Sequence, residues 1–202
     1  FLETKKYPAT SFGYTHKINR VQYDIALLLS TLLSQHRFDL MHQVWKSANV
    51  YDKGLVIGCG IGLEIELIKH KYKELDAYDL SLDNFCYQSH PQVNFYEEEF
   101  LGQNEKLYND IYIIELLEHV KKPYNLLKDA LQGLHISGRI IITLAIDIPQ
   151  FDHVYNFNDL DEFNSAIDDL GLYIECDQFI KHKGLFNKLK TSSNIFMILR
   201  RK

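Results

Sequence analysis

Apolar residues recur along this chain at two different periods. Between 18 and 34, Ile18, Val21, Ile25, Leu28, Leu29, Leu32 and Leu33 fall three or four apart, the spacing of a helix with one buried face. Residues 39–47 repeat that period, with Leu40, Val44 and Trp45 assigned to the inner face. From 54 onward, short apolar runs alternate with helical segments. The runs 54–57, 75–79, 92–96, 110–114 and 139–145 predict strands, and 63–73, 82–89, 124–134 and 159–170 predict helices. Two further strands, 172–179 and 195–200, close the chain with no helix between them. Alternation of strand and helix predicts a parallel sheet covered on both faces. A closing pair without a crossover helix is antiparallel. The expected fold is therefore α/β: a doubly wound sheet of seven strands with an antiparallel terminal strand. The N-terminal helices, placed at 1–38, form a cap on a single domain spanning 1–202.

The segment Val56-Ile57-Gly58-Cys59-Gly60-Ile61-Gly62 joins the first strand to the helix after it. A strand, a glycine turn and a helix N-terminus make a nucleotide site, because the turn admits a ligand close to the backbone and free N–H groups face it. Asp79, at the end of the next strand, can accept hydrogen bonds from both ribose hydroxyls. The dinucleotide fingerprint G-x-G-x-x-G needs glycine at 63, where this chain has Leu63. The triplet Gly58, Gly60 and Gly62 also fits a plain tight turn, so the rest of the chain must decide.

Composition narrows the partners. A hydrophobic content of 46% is that of a globular protein, and a net charge of −5 argues against a broad nucleic-acid-binding surface. The short cluster Lys181-His182-Lys183 reads as a solvated loop. Cys59, Cys86 and Cys176 form no C-x-x-C pair and no disulfide framework, which fits a reducing, cytoplasmic setting. The apolar run 25–33 is broken by Ser30-Thr31 and is too short to span a membrane. No secretory signal is visible.

From residue 40 onward the chain resembles the class I S-adenosylmethionine-dependent methyltransferases, whose fold is Rossmann-like. The G-x-G-x-G spacing resembles their first motif. Ala77-Tyr78-Asp79-Leu80-Ser81 resembles the second strand with its ribose-binding acid. The run 93–100 resembles the third strand and its acidic turn, with Glu99 where an acid bonds the adenine amino group. The run 110–120, ending Leu117-Glu118-His119-Val120, resembles the fourth strand and its L-E-H-V ending, and 134–142 resembles the turn into the fifth strand. The resemblance implies S-adenosylmethionine as cofactor, bound by Gly58, Gly60, Gly62, Asp79, Leu80, Glu99, Phe100 and Glu115. Three departures stand out. Val56 occupies a position where the family commonly carries an acid near the cofactor's methionine end. Arg139 follows Gly138 where a second glycine is frequent. The fourth strand is slightly short.

Candidate chemistry gathers at the ends of the fourth and fifth strands. Glu115, Glu118 and His119 have i, i+3, i+4 spacing, which on a helical turn gives one face. Asp152-His153 follows the fifth strand. Two carboxylates and two imidazoles, from Glu115, Glu118, His119 and His153, suit a divalent cation such as Mg, Mn, Fe or Zn. The set resembles the E-x-x-E-H motif plus a later histidine in metal-dependent O-methyltransferases, including enzymes that methylate small-RNA 3′ ends and ubiquinone-pathway relatives. A cation on a hydroxyl lowers its pKa and fixes it toward the methyl group. In the alternative, Glu118 and His119 build a pocket wall without metal and His153 is the general base.

Tyr14 and His16 lie in an aromatic stretch before the first helix and line either a substrate lid or a packed surface. Asp147 faces either the pocket or solvent. The remaining histidines have no converging partners in the sequence. The reading is an O-methyltransferase of a small-molecule biosynthetic intermediate. Metal-free N- or O-methylation, and an inactive cofactor-binding or scaffolding domain suggested by Val56, stand as alternatives. Neither nucleic acid nor membrane is expected as partner, and a homodimer is left open.

Overall fold

The computed structural model describes residues 20–82, 90–102, 106–148, 153–181 and 193–202. The 58–62 stretch separates the first strand from the helix after it, as the apolar periods predict. Helices α1 (Arg20–Leu33) and α2 (Gln35–Ser47) come first, followed by β1 (Tyr51–Ile57), α3 (Leu63–Ile68), β2 (Tyr72–Asp79) and β3 (Val93–Glu97). Then come β4 (Tyr108–Ile113), α4 (Pro123–Gln132), β5 (Leu134–Ile146), α5 (Asp161–Asp169), β6 (Leu172–Lys181) and β7 (Ser193–Arg201).

All seven strands form one sheet in the order β3-β2-β1-β4-β5-β7-β6. Strands β1 to β5 pair in parallel, and β7 lies antiparallel between β5 and β6. The expected doubly wound sheet with an antiparallel terminal strand is the observed one. Alternate residues of the central strands face opposite layers. Leu55, Ile57, Ile111, Ile113, Ile140 and Ile142 pack with Leu127 and Ala130 of α4 and with Phe163 and Ile167 of α5. Val56, Tyr112 and Ile141 pack with Leu40 and Val44 of α2 and with Ile65 and Ile68 of α3.

Several boundaries differ from the sequence expectation, four of them with a structural reason or consequence. The helix expected over 63–73 ends at Ile68, a 3-10 turn covers Lys69–Lys71, and β2 starts at Tyr72. The reason is the buried Tyr72 side chain, whose hydroxyl donates to Asp110 Oδ2 at 2.7 Å and lies 2.7 Å from the Tyr112 hydroxyl. Strand β5 begins at Leu134 because Leu134 pairs with Tyr108 before the register shifts to Asp110↔Arg139. Helix α2 begins at Gln35, directly after the extended Ser34. It is a core layer more than a cap, since Leu40 and Val44 are fully buried. Trp45 is 46% exposed and not on the inner face. Ile25, Leu29, Leu32 and Leu33 of α1 are exposed among the described residues. The helix expected over 82–89 falls mostly outside the described residues. No described helix is long and apolar enough to cross a membrane.

A buried ion pair ties the sheet together at the ends of the strands remote from the glycine turn. Asp110 accepts from Arg139 Nε at 2.9 Å and Nη2 at 2.6 Å, besides the Tyr72 hydroxyl. Arg139 also donates to the Ser47 carbonyl at 3.0 Å, which fixes the end of α2. Arg139 thus stands where a glycine was expected because it neutralises Asp110. Removing one partner strands the other charge in the core. Asp110→Ala is therefore expected to lower unfolding free energy by about 3–5 kcal/mol in urea denaturation. A loss below about 1 kcal/mol would show that the pair is not a structural linchpin.

Candidate active site

Neighbouring parallel strands β1 and β4 send their chains to opposite sides of the sheet. That leaves a crevice outside their carboxyl ends, the usual ligand position in open α/β sheets. Ile57 and Ile113 are paired at this edge. The 58–62 turn and the 115–119 segment both start there.

Gly58, Gly60 and Gly62 all take positive φ, at 70°, 49° and 77°. At Gly58 a Cβ would lie 2.6 Å from Leu116 Cδ2, so the turn and the segment after β4 are in close contact. At Gly60 a Cβ would meet nothing within 4 Å among the described residues. Asp79 closes the turn from β2: Oδ2 accepts from Gly60 N at 2.8 Å and Oδ1 from Ser81 N at 3.1 Å. Each oxygen keeps a further lone pair. Leu80 and Glu99 are exposed. Phe100 is buried in the core, edge-on to Tyr78 at 5.2 Å between ring centroids.

Glu115, Glu118 and His119 do not share a helical face. Glu115 has φ 49°, and the 3-10 turn that follows covers only Leu117–His119. Its amide donates to Thr143 Oγ1 at 2.8 Å, and its carboxylate accepts from Asn194 Nδ2 at 3.0 and 2.9 Å. Arg37 Nη2 of α2 stands 3.9 Å from Glu115 Oε2. Glu115 is thus held toward β7.

Glu118, His119 and His153 do converge, with one ligand atom from each lying within 4.8 Å of the others. Val154 N and Tyr155 N donate to the Glu118 carbonyl at 2.8 and 2.9 Å, which docks the loop carrying His153 onto the 3-10 turn. The two imidazoles meet edge to face, 5.1 Å between centroids at 88°. His153 is 3% exposed and Glu118 is 1% exposed. Neither Glu118 carboxylate oxygen has a hydrogen-bond partner among the described residues. Burial pushes the Glu118 carboxyl well above the usual carboxylate range, and the nearby Glu115 charge adds to the shift. The donor set, one carboxylate and two imidazoles, fits a divalent cation.

Glu64, in the first turn of α3, was not foreseen. Burial pushes its carboxyl up to about 7, with the charges of Glu115 and Asp79 adding to the shift and Arg37 opposing it. The available signal was its position two residues beyond the glycine turn. Arg37, Thr143 and Asn194 were also missed; each comes from a distant element. Asp147 is exposed at the end of β5 with φ 52°, its amide donating to the Phe157 carbonyl at 2.8 Å. Tyr14, His16 and Asp152 lie outside the described residues.

The architecture is the Rossmann-like methyltransferase fold. The chain is similar to the N-methyltransferase NodS from Bradyrhizobium japonicum WM9, solved in complex with S-adenosyl-L-homocysteine. Identity is 15% and the TM-score 0.70, over 91% of this chain and 99% of that one. It is similar to DhpI, solved in complex with SAH, at 12% identity and a TM-score of 0.69, over 90% and 91% of the two chains. It is also similar to the [4+2]-cyclase SpnF, at 9% identity and a TM-score of 0.64, over 81% and 80%. No protein-family model and no curated protein matches the chain. At these identities the common property is the fold.

The Glu64 shift carries a stability consequence. Between about pH 4.5 and about 7 the folded chain keeps a proton that the unfolded chain releases, so stability falls as pH rises through that window. Glu64→Gln is expected to remove this slope and, at alkaline pH, to exceed wild type by about 1–3 kcal/mol. Glu118 titrates in both proteins, so the difference between their urea-denaturation curves isolates Glu64. Parallel curves across the window would contradict the assignment.

Proposed function

We propose that the chain is an S-adenosylmethionine-dependent methyltransferase acting on an oxygen of a small-molecule acceptor, with Glu118, His119 and His153 holding a divalent cation. The observation that carries the metal-assisted reading is the buried Glu118 carboxyl, without a hydrogen-bond partner among the described residues, set beside two imidazoles. A buried carboxylate needs such compensation. The positive-φ glycine turn closed by Asp79, which accepts from Gly60 N, supports the choice of cofactor site. The cyclase among the similar folds shows that fold alone does not give methyl transfer, so the reading rests on these residues.

S-adenosylmethionine supplies the methyl group as an electrophilic carbon on a sulfonium. A divalent cation held by the trio would acidify an acceptor hydroxyl and fix its oxygen toward that carbon. The chain's own part is to bind and orient. The glycine turn admits the cofactor close to the backbone, and the spare lone pairs of Asp79 suit ribose hydroxyls. The hydrogen bonds from Val154 and Tyr155 to the Glu118 carbonyl keep the trio in register. Asp147, Tyr14 and His16 remain candidates for acceptor contacts. The net charge of −5 favours a small molecule over nucleic acid as acceptor.

A second reading dispenses with metal. The raised Glu118 pKa favours a neutral carboxyl, which is cheaper to bury than a carboxylate. His153 is then the base that takes the acceptor's proton, from nitrogen or oxygen.

Two expected outcomes test these readings. S-adenosylhomocysteine raises the melting temperature by mass action and NAD does not. Asp79→Ala weakens that binding by about 1.5–3 kcal/mol in calorimetry. Stabilisation by NAD alone would overturn the cofactor assignment. Methyl transfer to a panel of hydroxylated metabolites is expected to vanish with EDTA and return with Mg²⁺, Mn²⁺ or another divalent ion. Full turnover in verified metal-free protein would leave His153 as base.

A further inference from the structure

Two buried polar side chains interrupt the apolar strands beside the site. Thr143 is the only polar residue between Ile140 and Ile146 of β5, and it is fully buried. Asn194 is 2% exposed on the neighbouring strand β7, where it pairs with Ala145. A polar group taken from water needs a hydrogen-bond partner, and an apolar residue would fill either place at lower cost. Both side chains reach the same residue. Thr143 Oγ1 accepts from the Glu115 amide at 2.8 Å, and Asn194 Nδ2 donates to the two Glu115 carboxylate oxygens at 3.0 and 2.9 Å.

What this clamp holds is a backbone conformation. Glu115 has φ 49°, in the left-handed region that glycine enters freely and a residue with a side chain enters only when its surroundings sustain it. The next residue, Leu116, then makes two contacts at once. Its side chain lies against the glycine turn, where a Cβ on Gly58 would stand 2.6 Å from Leu116 Cδ2. Its carbonyl accepts from His119 N at 2.9 Å and closes the 3-10 turn that carries Glu118 and His119. The direction in which the chain leaves Glu115 thereby sets where two of the three cation donors point. The group of mutually close donor atoms contains Glu118, His119 and His153 but not Glu115.

We propose that Glu115 is a positioning residue and not a ligand of the cation: Asn194 and Thr143 hold it in its left-handed conformation, and that conformation aims Glu118 and His119 at His153. The proposal rests on the metal-assisted reading above. It gives the two buried polar residues of β5 and β7 a part in the site although neither belongs to the trio. It also divides the E-x-x-E-H motif, whose first acid sets the backbone while the second acid and the histidine hold the ion.

Mn²⁺ binding, read by calorimetry on folded protein, separates the roles. Alanine and glycine at position 115 both lack the carboxylate, so ligation and charge are equal in the two variants. They differ in the left-handed conformation, which glycine adopts without strain. Glu115→Ala is expected to weaken Mn²⁺ binding by about tenfold or more, as loss of a group supporting metal ligands does. Glu115→Gly is expected to return it to within about threefold of wild type, because the backbone no longer needs the clamp. Asn194→Ala keeps the Glu115 charge, removes the clamp and weakens binding as Glu115→Ala does. Equal weakening in Glu115→Ala and Glu115→Gly makes the carboxylate itself the requirement and overturns the proposal. Unchanged affinity in Glu115→Ala and Asn194→Ala overturns it too, leaving the clamp a purely structural device. In both cases wild-type binding leaves the metal reading standing. Wild-type protein that binds no Mn²⁺ overturns that reading and the proposal together. Should Glu115→Ala fail to fold, Asn194→Ala against Glu115→Gly decides.

Discussion

Strands β1 and β4 lie side by side, yet their continuations leave on opposite sides of the sheet, and that divergence opens a crevice between the glycine turn and the segment after β4. A parallel sheet places the carboxyl ends of its strands on one edge. The glycine turn follows β1, Asp79 ends β2, and Glu115 and the 3-10 turn follow β4. The chain also supports this edge from the far end. The buried Asp110–Arg139 pair and the Tyr72 hydroxyl lock β2, β4 and β5 together, and Arg139 binds the end of α2. Helix α2 is thereby fixed on the sheet, and Arg37 with it.

Charge in the crevice follows from burial. Glu64 feels the charges of Glu115, Asp79 and Arg37, and Glu118 those of Glu115 and Arg37. Burial raises the pKa of two of these carboxyls, Glu64 and Glu118. Glu115 stays apart because Thr143 and Asn194 hold its backbone and side chain in a left-handed conformation. Such a conformation costs on the order of 1 kcal/mol or more for a residue with a side chain, and surrounding contacts must sustain it. The result is a division of labour: one carboxyl beside two imidazoles, and a second bound to β7.

Much of the fold was legible because strand and helix periods are long-range regularities. The order of elements, the parallel sheet and the antiparallel end all follow from alternating apolar runs. Boundaries moved where one side chain had a distant partner: Tyr72 drew β2 forward to reach Asp110, and Leu134 lengthened β5 by pairing with Tyr108. In the site, convergence of Glu118, His119 and His153 was readable from motif spacing and strand ends. The separate place of Glu115 was not, because i, i+3, i+4 spacing assumes helical dihedrals and Glu115 does not adopt them. Arg37, Asn194 and Thr143 carry no local signal at all; only the folded sheet brings them to Glu115.

The central claim is that Glu118, His119 and His153 form one cation site. Paramagnetic resonance of the protein titrated with Mn²⁺ tests it most directly, since imidazole nitrogens bound to the ion modulate the electron spin echo. The account predicts one bound ion with two coordinated imidazoles, reduced to one in His119→Ala. An ion that stays fully hydrated in solution, with no nitrogen modulation, would contradict it.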